Sequence, residues 1–256
     1  MFDNSKTGYL IPNKKDNSVS GSEFIKNNAK LAINVREQNI LDEFLTGNIP
    51  NFLRNFVSVT VTNNSDSIIY LVTGDYLCIG NDNDYVRMPM NPLTAQKIAD
   101  QYDCTLPTKK IVDDIWKNST NKLPPLPWGP PYDASMMSTD RISIHNDRIQ
   151  KQLSGKDNTA LTSGHKKDVV LTNKLSPNNP KKRVAIYGWI QSNGQPIQGL
   201  NPATHEDTYS DYSHGIRLIA NDVMVNGNVM RIQDVFKDSN LSKLVSDEGV
   251  LSFTRY

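Results

Sequence analysis

An α+β fold is the architecture this sequence predicts, with N-terminal helices and a mostly antiparallel sheet in one domain. Three observations lead there. Apolar residues recur at helical spacing at 23–45, 91–102, 107–116 and 139–153. Strict alternation at 57–62 and short apolar runs at 168–172, 183–189, 214–219 and 229–232 read as strands. Helices fall before strands rather than alternating with them as a βαβ fold would require.

Taken in order, residues 1–22 are rich in Asn, Lys, Ser and Gly and read as an extended, solvated lead-in to a domain over 23–256. Ser22 is the expected cap of a helix reaching Leu45, with Ile33, Ile40, Leu41, Phe44 and Leu45 recurring at helical spacing and Gly47 as its stop. A hairpin follows at 57–73, turning at Asn63-Asn64-Ser65-Asp66, and short strands flank Gly80-Asn81-Asp82-Asn83-Asp84. That acidic turn lacks the glycine and terminal glutamate of an EF-hand loop and reads as a turn. Asn91-Pro92 opens a second helix, and Pro107-Thr108 a third carrying Ile111, Val112, Ile115 and Trp116.

The run Leu123-Pro-Pro-Leu-Pro-Trp-Gly-Pro-Pro131 breaks all periodicity; it reads as a proline-rich surface strap, with a subdivision near 123–135 as the other reading. Beyond it come a helix at 139–153, a strand at 168–172, a polar turn at 174–182 and a buried strand at 183–189. A turn at Ser192-Asn193-Gly194-Gln195, strands at 214–219 and 229–232, and a last helix at 232–245 complete the chain.

Composition narrows function. The chain has 256 residues with 28 Lys+Arg against 27 Asp+Glu, so it lacks the basic excess of a generic nucleic-acid binder, and no nucleic-acid partner is expected. Two cysteines, Cys78 and Cys104, make no disulfide framework or thiol metal motif. Cys104, near the expected third helix, is a conceivable nucleophile beside a histidine, although a small buried thiol is the commoner role. No apolar run approaches the roughly 20 residues of a membrane span. The N-terminus lacks a signal-peptide core, which places the protein in the cytosol, in a virion, or outside the cytoplasm after processing.

Chemistry concentrates late. All four histidines, His145, His165, His205 and His214, lie between residues 145 and 214. Histidine titrates near neutrality and is the commonest proton shuttle. In Ser163-Gly164-His165-Lys166-Lys167-Asp168 a polar turn runs into an apolar strand, so His165 and Asp168 could form an imidazole–carboxylate pair with Lys166 and Lys167 holding an anionic group. The segment from His205 to Arg217 gathers acid, imidazole, phenol, hydroxyl and guanidinium. His205, Asp211 and His214 could supply a zinc site with an open fourth position, although their spacing matches no compact zinc signature. Otherwise no cofactor is expected.

Ser213-His214-Gly215-Ile216-Arg217-Leu218 resembles the S-H-G-C-[IV]-R-[LM] signature of L,D-transpeptidase catalytic domains, which implies a peptidoglycan cross-linking cysteine. The chain has no cysteine in the motif and has Tyr187 where that family has its other histidine, so the family's reaction does not carry over. Over most of its length the chain also resembles an uncharacterised family of often-exported bacterial proteins. The phrases are Gly47-Asn48-Ile49-Pro50-Asn51-Phe52-Leu53-Arg54, Cys104-Thr105-Leu106-Pro107-Thr108, Gly164-His165-Lys166-Lys167-Asp168-Val169-Val170 and Asp211-Tyr212-Ser213-His214-Gly215-Ile216-Arg217. This resemblance implies one domain in which the two histidine segments meet.

The expectation is a hydrolase with a His-centred acid/base site acting on a cell-envelope or polymeric substrate. His165 and His214 would be its imidazoles and Asp168 or Asp211 their orienting carboxylates. Lys167 and Arg217 would stabilise negative charge, and Tyr187 would donate a hydrogen bond. The competing class is a non-catalytic binding or virion structural protein, for which the Asn- and Asp-rich turns, the strap and the ten tyrosines would serve contact.

Overall fold

The computed structural model describes residues 11–175, 182–202 and 204–256. The first ten residues of the expected lead-in and most of the turn at 174–182 lie outside the described residues. In the rest of the lead-in Asn13, Lys15, Asp16 and Asn17 are exposed, while their neighbours are tied to the domain. Ile11 is buried in the core, Arg54 Nη1 donates to the Pro12 carbonyl at 2.9 Å, and Lys14 Nζ to the Gly80 carbonyl at 2.8 Å.

Short polar side chains start most of the helices. Ser20 caps α1 (Gly21–Asn28), Asn91 caps α3 (Pro92–Gln101), Thr108 caps α4 (Lys109–Asn118) and Ser138 caps α5 (Thr139–Leu153), each accepting from a first-turn N–H. α2 (Ile33–Leu45) and α6 (Ile232–Lys237) lack a side-chain cap. The single helix expected from Ser22 to Leu45 is therefore two, and its cap is Ser20. Ser22 instead donates its hydroxyl to Asp84 Oδ2 at 2.5 Å, tying α1 to the acidic turn. The last helix ends at Lys237, because Asp238 Oδ1 accepts from Asn240 and Leu241 N–H and turns the chain; a short 3-10 turn at Ser242–Leu244 follows.

The strands are β1 (Val57–Asn63), β2 (Asp66–Val72), β3 (Cys78–Gly80), β4 (Tyr85–Arg87), β5 (Cys104–Thr105), β6 (Asn121–Lys122) and β7 (Thr162–Ser163). Then come β8 (Lys167–Val169), β9 (Ile186–Ile190), β10 (Pro196–Gln198), β11 (His214–Gly215), β12 (Ile219–Ala220), β13 (Asp222–Val225) and β14 (Asn228–Arg231). One sheet runs β14-β13-β2-β12-β5 with β1 on the other side of β2, and a second runs β10-β9-β8-β11. β3–β4 and β6–β7 are separate pairs. Among these pairings only β8–β11 and β6–β7 are parallel, so the expected mostly antiparallel α+β fold is what forms.

The expected strand at 214–219 is divided between the two sheets. Between β11 and β12 the carbonyls of Ile216 and Leu218 accept from Leu77 and Thr73 N–H, while the Arg217 guanidinium reaches inward to the Thr73 and Thr162 carbonyls at 2.6 and 2.7 Å. Over the strap, Trp128 N–H donates to Tyr212 Oη at 2.6 Å, and buried residues before and after it, from Ile11 to Leu251, share one apolar cluster. No helix among the described residues is long and apolar enough to cross a membrane.

Candidate functional site

The parallel pairing of β8 with β11 brings the two histidine-bearing turns side by side. Lys167 N–H donates to the Ser213 carbonyl at 2.8 Å, and the register sets His214 against Lys167 and Gly215 against Asp168. Gly215 is required here. A Cβ on it would stand 2.5 Å from Tyr76 Cδ1 and 2.8 Å from Lys166 Cβ, so the Tyr76 ring lies directly on the backbone. Tyr76 Oη donates to Asp168 Oδ2 at 2.7 Å, and the Arg217 guanidinium sits 4.4 Å from the Tyr76 ring centroid. Burial raises the Asp168 carboxyl to about 7 despite Arg217 and the Tyr76 bond. Between Tyr76, Lys166, Asp168 and Arg217 there is no room for a water molecule.

Next to this closed cluster, His165 Nε2 lies 3.2 Å from Asp75 Oδ1, and Asp75 is gripped by Arg87. Burial lowers His165 to about 4 against the pull of Asp75. Lys166 is also buried; its Nζ donates to the Tyr212 carbonyl at 2.5 Å, and burial with the Arg87 charge lowers it to about 7. His145 packs edge-on against Tyr212, and among the described residues neither of its ring nitrogens has a hydrogen-bond partner.

His214 faces another way. Alternation along β8 sends Lys166 and Asp168 to one side and Lys167 to the other, where Lys167 Nζ lies 4.2 Å from the Trp189 ring centroid. His214 lies on the Lys167 side, wholly buried, edge-on to Tyr209 with ring centroids 5.7 Å apart. Tyr209 in turn stacks on His205, with centroids 4.0 Å apart and planes 8° apart. Asp211 accepts from Tyr209 Oη, Ser213 N–H and Ser213 Oγ; burial would raise it, but His214, the Ser213 bonds and Lys167 hold it at about 2. The zinc site expected from His205, Asp211 and His214 does not assemble: the Tyr209 ring packs against both imidazoles, and both Asp211 oxygens already accept hydrogen bonds. Among the described residues no group of three His, Cys, Asp or Glu side chains is placed to hold a metal.

The open space lies beyond Tyr209. A cleft of about 770 Å³ is bounded by α2, the start of α3 and the 204–209 segment, with Glu37, Lys97, Arg183, His205 and Tyr209 among its lining. Glu37 forms its floor. Its carboxylate accepts from Asn91 N–H at 3.1 Å and Ser210 Oγ at 3.2 Å, yet burial outweighs these bonds and raises its pKa. His205 is shifted the opposite way. Burial lowers it, with Lys167 and Arg183 adding to burial and Asp211 opposing.

Of the residues singled out in the sequence, His165, Lys166, Asp168 and Arg217 meet in the closed interior. His214, Asp211 and Lys167 stand behind the cleft wall, and only His205 lines the cleft. Tyr187 does not serve either group: its hydroxyl donates to Asp113 Oδ1 at 2.7 Å, over α4. Cys78 and Cys104 are free, buried thiols whose pKa burial pushes up, which removes the nucleophile reading of Cys104. Sequence reasoning missed Glu37, Asp75 and Arg87. Glu37 could have been found, since it sits at i+4 from Ile33 and i−4 from Leu41, a carboxylate inside an apolar helical stripe. No known protein family, curated protein or solved structure compared with the chain matches it.

Proposed function

We propose that the protein is a hydrolase of a polymeric, cell-envelope substrate whose acid–base pair is Glu37 and His205. The observation that carries this reading is the opposed environment of two titratable groups in one cleft. A carboxyl held toward its protonated form and an imidazole held toward its neutral form are the two states that general acid–base catalysis near neutrality needs. His205 takes a proton from water as the water oxygen attacks the scissile centre, and Glu37 delivers its proton to the leaving atom as that bond breaks. Lys97 and Arg183, lining the same cleft, stabilise the negative charge that develops. His165 and His214 are wholly buried and hold the scaffold behind the site.

Dye-labelled peptidoglycan sacculi incubated with the purified chain test the reading. Soluble dye is released by the wild type, and about 100-fold or more slowly by Glu37→Gln and His205→Ala. Folded variants that release dye at the wild-type rate would refute the assignment. A second reading, binding without chemistry, draws on the amides and hydroxyls of Asn34, Gln38, Asn91, Thr94 and Thr208 in the same cleft. It predicts that sacculi co-sediment the protein and no dye is released.

A further inference from the structure

We propose that Tyr209 is a positioning residue for this site, clamping the His205 imidazole face to face while Asp211 anchors the clamp. The inference rests on His205 being the base, as argued above. It begins from the stack, whose 8° tilt and 4.0 Å separation leave the imidazole no freedom to rotate about its ring bond without losing the contact. His205 is half-buried and faces the cleft, so the orientation of this stack decides where its nitrogens point.

A stacked ring alone would slide. Tyr209 is prevented from doing so at its far end, where its hydroxyl donates to Asp211 Oδ2 at 2.9 Å. Asp211 is fixed in turn, since its other oxygen accepts from Ser213 N–H at 2.8 Å and Ser213 Oγ at 2.5 Å. Ser213 immediately precedes β11, and its carbonyl accepts from Lys167 on β8. The chain of contacts from His205 through Tyr209 and Asp211 therefore ends in a sheet, which is how a loop-borne base acquires the rigidity of the scaffold. Phenylalanine would keep the stack and lose the anchor. Alanine would lose both and open one imidazole face to water.

The charged and titratable groups around His205 are Asp211, Lys167, Arg183 and His214, with Tyr209 against its face and Glu37, Glu206 and Lys97 lining the same cleft. With the ring uncovered, the His205 titration moves up toward its ordinary value near 6.5. With the Asp211 charge removed, it moves down.

The test combines an NMR titration of the His205 imidazole with dye release from sacculi, on the full chain and on Tyr209→Phe, Tyr209→Ala and Asp211→Asn. Tyr209→Ala is expected to raise the His205 midpoint and to lower kcat about 10-fold or more with KM little changed. Tyr209→Phe should keep the midpoint near wild type and lose a smaller part of kcat, and Asp211→Asn should lower the midpoint. If Tyr209→Ala does not fold, the Tyr209→Phe and Asp211→Asn results decide. An unmoved midpoint in Tyr209→Ala and Asp211→Asn, or a wild-type kcat in Tyr209→Ala and Tyr209→Phe, overturns the proposal. Midpoints that move as expected in a protein that releases no dye retain the clamp and overturn the hydrolase reading instead.

Discussion

Arg87 grips Asp75 inside the protein, its Nε 2.9 Å and its Nη2 2.5 Å from Asp75 Oδ2, while Asp75 Oδ1 faces His165. Burial alone would raise the Asp75 carboxyl, but the Arg87 and His165 charges hold it well below the usual carboxylate range. The arginine is further fixed by Asn146 Oδ1 on α5, which accepts from its backbone N–H at 3.1 Å and from Nη1 at 3.2 Å. Removing either charge strands the other out of water. Arg87→Met and Asp75→Asn should each lose roughly 3–5 kcal/mol of unfolding free energy, read from the urea midpoint. A loss below 1 kcal/mol in both would show that the pair does not hold the interior.

Stability should fall as the solution is acidified from neutrality. His165 and His214 are lowered by burial to about 4, and His145 is lowered further by burial and the Lys166 charge. Between about 6.5 and 4 the unfolded chain binds these protons and the folded chain does not, so unfolding free energy rises with pH. Asp168, raised to about 7, and Glu37, raised in direction, bind protons in the folded state and work against this trend. His205 is lowered in the same direction, and four imidazoles outweigh two carboxyls. Urea unfolding at pH 4.5 and 7.0 should give the higher midpoint at 7.0, and Asp168→Asn should steepen the difference. Equal midpoints would contradict it.

Gly215→Ala places a methyl group against Tyr76 and Lys166 where their atoms already stand within 2.8 Å. Neither neighbour is at a flexible tip, since the atoms met are the Tyr76 ring and the first carbon of Lys166. The variant should lose about 1–3 kcal/mol, measured as a fall in Tm.

Tyr76→Phe removes the Tyr76 hydroxyl that donates to Asp168 Oδ2, and among the described residues Asp168 Oδ1 has no hydrogen-bond partner, with Arg217 Nε 3.9 Å away. A cost of about 1–3 kcal/mol is expected from leaving that buried group unsatisfied. A neutral outcome would mean that the polar cluster relaxes around the loss.

Much of the fold was legible because its signals are local. The caps Asn91 and Thr108, the alternation of 57–62 and the turn at Asn81–Asp84 all depend on residues a few positions apart. What failed was set by distant partners. Ser20 rather than Ser22 caps α1 because Asp84 takes the Ser22 hydroxyl, and the 214–219 run breaks because Leu77 and Thr73 claim its carbonyls. The candidate site followed the same division. The turns at 163–168 and 211–217 do meet, through β8 and β11, but strand alternation puts Lys166 and Asp168 with Arg217 on one side and Lys167 with His214 on the other. The cleft itself is made by α2 and α3, whose Glu37 gains its environment from Asn91 and Ser210, 54 and 173 residues away.

The pH dependence of dye release from sacculi tests the paired roles of Glu37 and His205 most directly. A base held toward its neutral form and an acid held toward its protonated form predict a bell-shaped profile with a limb that disappears in His205→Ala. A rate that keeps rising through pH 8, or a wild-type profile in His205→Ala, would contradict the account.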